Sequence, residues 1–451
     1  MPLKSILPFK FETATGESLL HFERSESWKK FEGTIALRSS VSGQVKIDKL
    51  TPVRRGWIPF RVIAIDGSHV THQVRNGFPG ADASIVMISI VLIDVSKLNK
   101  LEDDKIPSPQ VFSTMDDATV IDAVLPGANV VGKDENLLTP KKFFRREVFE
   151  TINGKVTTSF ESLLDTYRTI TAGRPEPDIE CPIDDCNKKY TRGNGCYQCQ
   201  CHRKETLYET DELRFHQRFN ENGSNGEVHG EVRHILEILS LLNVLRFYAT
   251  KDRVEWFRDC AFVLDGPLGI FGQPAWLLPY VKNELRNIND FVRKEINTDI
   301  VVFGIEKSGK FAQHFEDIDW TEKDGPRSNF PRQTLITPSL NYIHKNIIFR
   351  DSTKPWGDAT YFGRKAMYKN ITGEHLVVNT PMLDDYSSDV HNVSEAAYPR
   401  INDILDVLDK LGTYLYKDGF MPLVRANAHA AIPFKRGVSI LEELFKNRPK
   451  N

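Results

Sequence analysis

Two spacings of apolar positions divide the chain. Val62, Ile63, Ala64 and Ile65 form an unbroken apolar run that meets Asp66, Gly67 and Ser68. A second run, SIVMISIVLID, occupies residues 84–94. Phe262, Val263 and Leu264 lead into Asp265 and break on Gly266 and Pro267, and DIVVFGI at 299–305 runs into Glu306 and Lys307. Short apolar runs closed by turn formers predict strands buried on both faces. Elsewhere the period lengthens to that of a helix. Phe160, Leu163, Leu164, Tyr167 and Ile170 share one face, and Val232, Ile235, Leu236, Leu239, Leu242 and Val244 share another within 228–248. Residues 276–296 and 397–416 also read as helices, and a last element begins near Pro422. Residues 334–349 and 374–379 are strand-like. Residues 96–140 are polar and Pro-rich and predict an irregular insertion. Strands alternating with helices predict an α/β fold with a mixed sheet flanked by helices.

Two of the predicted strands run into Asp-Gly. If they are parallel neighbours, Asp66 and Asp265 share one rim of the sheet, and open α/β sheets bind ligands at the carboxyl ends of their strands. Asp-Gly after an apolar run is also the commonest hairpin signal. Glu237 is the third carboxylate of interest. From the end of helix 228–248 back to Glu237 is roughly 17 Å at 1.5 Å per residue. The strand reaching Asp265 covers roughly 13 Å, so Glu237 is expected near the level of Asp265, and Glu231 overshoots. As a solvated helix carboxylate Glu237 would need no such partner. Clustered carboxylates suit hard cations such as Mg²⁺ or Mn²⁺. Lys307, just past a strand end, is a candidate phosphate contact or a plain surface lysine.

Composition narrows the classes. The 451 residues carry a net charge of −2, which excludes a strongly basic nucleic-acid binder but leaves room for a local basic groove. No apolar run reaches about 18 residues, so no membrane span is expected. The first residues, MPLKSILPFKFETATGE, lack the apolar core of a secretion signal. Five of the six cysteines fall within residues 181–201, which argues against scattered disulfides and for a cytoplasmic protein with reduced thiols. Their spacing, Cys181-x4-Cys186-x9-Cys196-x2-Cys199-x-Cys201, sits among turn formers such as Pro182, Asp184, Gly193 and Gly195. That is the pattern of a structural Zn²⁺ site of four thiolates. Cys181, Cys186, Cys196 and Cys199 are the favoured ligands, Cys201 is the substitute, and His202 can compete.

Several motifs occur in a fixed order: Asp66-Gly67-Ser68, Arg233-x3-Glu237, Leu264-Asp265-Gly266-Pro267-Leu268, Gly304-Ile305-Glu306-Lys307-Ser308, and Pro422-Leu423-x2-Ala426-x3-Ala430-x-Ile432. As an ordered set over about residues 60–435, this resembles the NurA nuclease family. The resemblance implies an RNase H-like core, DNA cleavage with Mn²⁺ or Mg²⁺, a homodimer, and partnership with the hexameric HerA translocase. It implies catalytic and metal-binding roles for Asp66, Glu237 and Asp265. The family places a His after an Ala near the C-terminus. Here Asn427 follows Ala426 and His429 lies two residues on, so either could take that role. The displaced His also leaves an inactive adaptor that binds DNA or the motor as the alternative function. The expected layout is an extension at 1–59, a nuclease domain at 60–435 with the cysteine insertion at 178–203, and a tail at 436–451. No GxxxxGK[ST] phosphate loop is present, so an ATP-driven motor would have to be a separate chain.

Overall fold

The computed structural model describes residues 17–35, 49–50, 52, 56–74, 77–99, 116–175, 179–182, 186, 188–190, 193–200, 204–321, 327–349, 356–383, 393, 397–413 and 419–446. Contacts divide the chain into two units, Met1–Val45 and Lys46–Asn451. In the first, helices Glu17–Glu23 and Glu26–Glu32 follow one another, and the Ser25 hydroxyl caps the second by accepting from the Trp28 N–H. The second unit carries the sheet and everything below.

Nine strands form one mixed sheet: β1 (Lys49–Leu50), β2 (Arg61–Gln73), β3 (Asp82–Asp94), β4 (Asp116–Pro126), β5 (Cys260–Asp265), β6 (Val301–Glu306), β7 (Thr334–Ile336), β8 (Gly363–Lys369) and β9 (His375–Pro381). Their spatial order is β1-β7-β8-β9-β6-β5-β2-β3-β4. β2, β5 and β6 are parallel, and every other pair is antiparallel. Each face has its own core. Ile63, Ile65, Phe262, Leu264 and Val302 pack under α3 (Gly226–Tyr248) and α4 (Leu278–Ile296), with α1 (Pro140–Asn153) and α2 (Leu163–Ile170) beside them. The alternate residues Val62, Ala64, Ala261, Val263, Phe303 and Ile305 pack under α6 (Ile401–Leu411) and α7 (Met421–Ala430). α5 (Lys310–Asp319) follows β6, and α8 (Phe434–Lys446) closes the described chain. The two-residue alternation of a strand sends consecutive residues into opposite cores, which is why these runs are apolar throughout.

The observed elements correct several expectations. β2 does not end at Asp66 but continues to Gln73, because β3 pairs with it along its whole length. Only its parallel partner β5 stops there, at Asp265. The segment read as an irregular insertion contains β4, a short apolar run interrupted by Asp122 and set within an otherwise polar, Pro-rich stretch. Pro140–Asn153 is a helix, started by Pro140 and by the Thr139 hydroxyl accepting from the Lys142 N–H. Within 334–349 only Thr334–Ile336 is extended, and the rest coils through Leu340–Ile348. Lys49–Leu50, placed in the N-terminal extension by the sequence, pairs with β7 at the sheet edge.

The ends of β5 and β6 are locked together. Gly266, at a φ of +119°, donates its N–H to the Ile305 carbonyl at 2.9 Å. A Cβ added to Gly304 would collide with the Gly266 carbonyl oxygen and lie 3.3 Å from Leu268 Cγ. Backbone cannot give way as a flexible side chain does. Gly304→Ala should therefore cost about 1–3 kcal/mol, read as a lower melting temperature. An unchanged melt would mean the strand ends can slide apart.

Candidate active site

The point where β5 stops is where the carboxylates gather. Ile65 pairs with Leu264 in parallel register, so Asp66 and Asp265 occupy the next, equivalent positions on adjacent strands. Both strands alternate in step, which puts the two aspartates on the same face of the sheet. Asp66 is 7% exposed. Its carboxyl is pushed up from 3.8 to about 7, chiefly by burial and then by the negative charges of Asp265 and Glu237. The Gly67 N–H, donated to Asp66 Oδ1 at 2.7 Å, and the Arg233 cation act the other way. Asp265 is raised too, first by burial. The Lys307 cation opposes that rise, the Glu237 charge adds to it, and Arg233 opposes it.

Glu237 approaches the same strand end from α3, on the other face of the sheet, against Gly67. It is 2% exposed, not solvated. Arg233 Nη1 donates to Glu237 Oε1 at 2.6 Å and to the Gly67 carbonyl at 2.7 Å. His234 Nδ1 lies 3.2 Å from Glu237 Oε2, and its Nε2 lies 2.8 Å from the Gly269 carbonyl. A Cβ on Gly67 would collide with the Glu237 carboxylate and lie 2.6 Å from the Ile88 δ-methyl. Gly67 therefore lets the helix carboxylate rest on the strand backbone. The i,i+3 and i,i+4 spacing that puts His234 and Arg233 beside Glu237 is visible in the sequence. That they bind Glu237 to β2 and to the loop after β5 is not.

The remaining predicted residues distribute as follows. Lys307 is half-buried just past β6, and its charge acts on Asp265. α7 starts at Met421, next to the expected Pro422, and lies against β2 and β3, with Ser68 donating to the Ala430 carbonyl and Ser89 to the Ala426 carbonyl. His429 is half-buried in the last turn of α7, whereas Asn427 is exposed. Sequence reasoning missed a second charged group beyond β6. Lys365 on β8 donates to both Glu306 oxygens, at 2.5 and 2.7 Å, and its ammonium faces the Phe311, Tyr361 and Trp356 rings.

The cysteine module holds the tightest ligand group. Among the described residues, Cys181, Cys186 and Cys199 are the set of three whose ligand atoms all lie within 4.8 Å of one another. The three carboxylates are spaced more widely, with Arg233 bridging Glu237 to the β2 backbone. Cys196, a favoured zinc ligand by spacing, stands outside the cluster and is exposed. Cys196–Gln198 is extended and pairs with Thr206–Tyr208, so Cys196 and Cys199 face opposite sides, about 10 Å apart along the strand. A C-x2-C pair ligates through a turn, and here the intervening residues are strand. Partial desolvation and the charges of Glu150 and Asp211 also push the Cys196 thiol up, away from the thiolate. Cys201 and His202 lie outside the described residues. The segment that follows the module, Glu209–Leu213, is tied to α1 and α2 by its buried acids. Arg145 grips Asp211 at 2.8 and 2.5 Å, Arg168 grips Glu209 at 2.8–3.1 Å, and Tyr167 donates to Glu212 at 2.8 Å.

No family profile and no curated protein matches the sequence. Among solved structures, the chain is similar to the crystal structure of the NurA nuclease from Sulfolobus solfataricus. The two share 11% identity and a TM-score of 0.31, with 96% of this chain and 97% of that one covered. A second structure, of NurA, gives 9% identity and a TM-score of 0.22 over 97% of this chain and 98% of that one. The likeness is distant. No described helix is long and apolar enough to cross a membrane.

Two expectations follow. Asp66 binds its proton more tightly when folded than unfolded, so without Mn²⁺ or Mg²⁺ the fold loses stability as pH rises from about 4 to about 7. A rise from 3.8 to about 7 corresponds to roughly 4 kcal/mol. Asp66→Asn should therefore melt higher than the parent at pH 8, and the gap should close toward pH 4. A gap independent of pH would contradict the burial of a charged Asp66. Second, zinc measured by elemental analysis should reach about one equivalent under reducing conditions. It should be lost in Cys181→Ser, Cys186→Ser and Cys199→Ser and kept in Cys196→Ser.

Proposed function

We propose that this chain is a metal-dependent DNA nuclease. One observation carries the reading. Asp66 and Glu237, both buried, and half-buried Asp265, far apart in sequence, meet at the end of the parallel strand pair and feel one another's charge. Mutual repulsion in a site poor in water is costly unless a cation joins it. Three carboxylates are also the hard oxygen donors that Mn²⁺ and Mg²⁺ prefer. The donor set therefore fits such an ion, with Asp66, Glu237 and Asp265 as its ligands. When bound, the ion would supply Lewis acidity at the phosphate and a water acidic enough to attack it.

The chain's own residues would do the rest. Arg233 and His234 orient Glu237, and Gly67 lets it approach the strand. Lys307 offers a cation to the phosphodiester beside Asp265. His429, in the α7 turn joined to Ser68, is the candidate to hand a proton to the leaving oxygen. The five strands β4-β3-β2-β5-β6 would be the RNase H-like core that the motif resemblance implies. The cysteine module would hold a structural Zn²⁺ on Cys181, Cys186 and Cys199 with one further ligand. In this reading the protein works as a homodimer with a HerA-type hexameric ATPase in DNA end processing or defence against phage.

The test is cleavage of linear duplex DNA with Mn²⁺, with and without a chelator, and with and without the motor and ATP. Asp265→Asn should lower cleavage at least a hundredfold while the far-UV spectrum stays unchanged, since it removes charge at constant volume. Cleavage that survives in Asp265→Asn would place the chemistry elsewhere. A folded parent protein that binds DNA but never cuts it would favour the adaptor.

A further inference from the structure

The carboxylate cluster already contains a cation. Arg233 Nη1 sits between Glu237 Oε1, at 2.6 Å, and the Gly67 carbonyl, at 2.7 Å. Its charge also acts on Asp66 and on Asp265, so one guanidinium serves all three acids. Its Nε is buried and has no hydrogen-bond partner. Arg233 thus leaves a donor unsatisfied to hold this place, whereas Lys307 acts on Asp265 from the far side. The Glu237 side chain is 2% exposed and would be a buried charge with little compensation if Arg233 were absent.

We propose that Arg233 is the resident counter-cation of the cluster. It holds Glu237 over Gly67 in the metal-free protein and sets the divalent affinity by opposing the incoming ion. This rests on the metal-binding reading above. A mere prop for Glu237 would strengthen metal binding by keeping the ligand in place. A resident cation weakens it, because a like charge held beside the site repels the ion in a medium of low dielectric. The two roles therefore predict opposite signs.

Mn²⁺ binding to the full-length protein, followed by loss of the free-ion electron paramagnetic signal, separates them. Arg233→Gln should bind Mn²⁺ about tenfold more tightly than the parent. Arg233→Lys, which keeps the charge, should stay within about twofold. Equal or weaker binding by Arg233→Gln overturns the proposal. Glu237→Gln and Asp265→Asn test the underlying reading. If neither weakens Mn²⁺ binding, the carboxylates are not the metal site, and both ideas fall. If they weaken it while Arg233→Gln does not tighten it, only the role of Arg233 is wrong. A metal-free thermal cycle is independent of the ion. Arg233→Gln should lower the melting temperature in the parent, and at least half of that loss should vanish in the Glu237→Gln background. Equal losses in both backgrounds would also overturn the proposal.

Discussion

Buried like charge is the constraint around which this end of the molecule is arranged. Two aspartates on neighbouring parallel strands cannot both ionise cheaply where water is scarce, and a glutamate from the covering helix adds to the strain. The chain answers with cations at fixed places, Arg233 from α3 and Lys307 from the end of β6. It also answers with backbone, since the Gly67 N–H serves Asp66 and the Gly67 carbonyl serves Arg233. One residue thereby joins strand and helix, and it must be a glycine because the Glu237 carboxylate takes the space of a Cβ.

The sheet sets this arrangement by stopping one strand early. β2 runs on with β3 past Asp66, while β5 ends at Asp265. An open strand edge results beside the acids. The turn after β5 is pinned to β6 through Gly266 and Ile305, which fixes Lys307 relative to Asp265. α7 covers the face that the two aspartates share, through its contacts from Ser68 and Ser89, while α3 covers the other. The same logic of buried charge, differently solved, attaches the segment after the cysteine module. There Glu209, Asp211 and Glu212 are matched by arginines and a tyrosine, so those acids are structural.

Much of the candidate site was legible in the chain. The apolar runs ending at Asp66, Asp265 and Lys307 are strands because β-structure buried on both faces needs no alternation. The helix arithmetic put Glu237 level with Asp265 because rise per residue is invariant. The spacing of cysteines marked a ligand cluster in the same way. What failed did so for local reasons. β4 was hidden because its short apolar run, broken by Asp122, sits in a polar, Pro-rich stretch, and Pro140–Asn153 because its polar side dilutes its period. Cys196 was counted as a ligand because spacing does not say whether the residues between two cysteines turn or extend.

Tertiary structure alone decided the rest. Adjacency of β2 and β5, and their parallel sense, comes from strands nearly two hundred residues apart and cannot be read from either run. The length of β2 depends on β3, whose pairing overrides the Asp-Gly turn signal. The direction of Arg233 depends on which helix face meets Gly67, and its choice of partner on how little water remains there. The sequence by itself determined which side chains were available and roughly how far along each element they stood. Packing determined which of them share an environment, because burial and charge coupling are properties of neighbours in space.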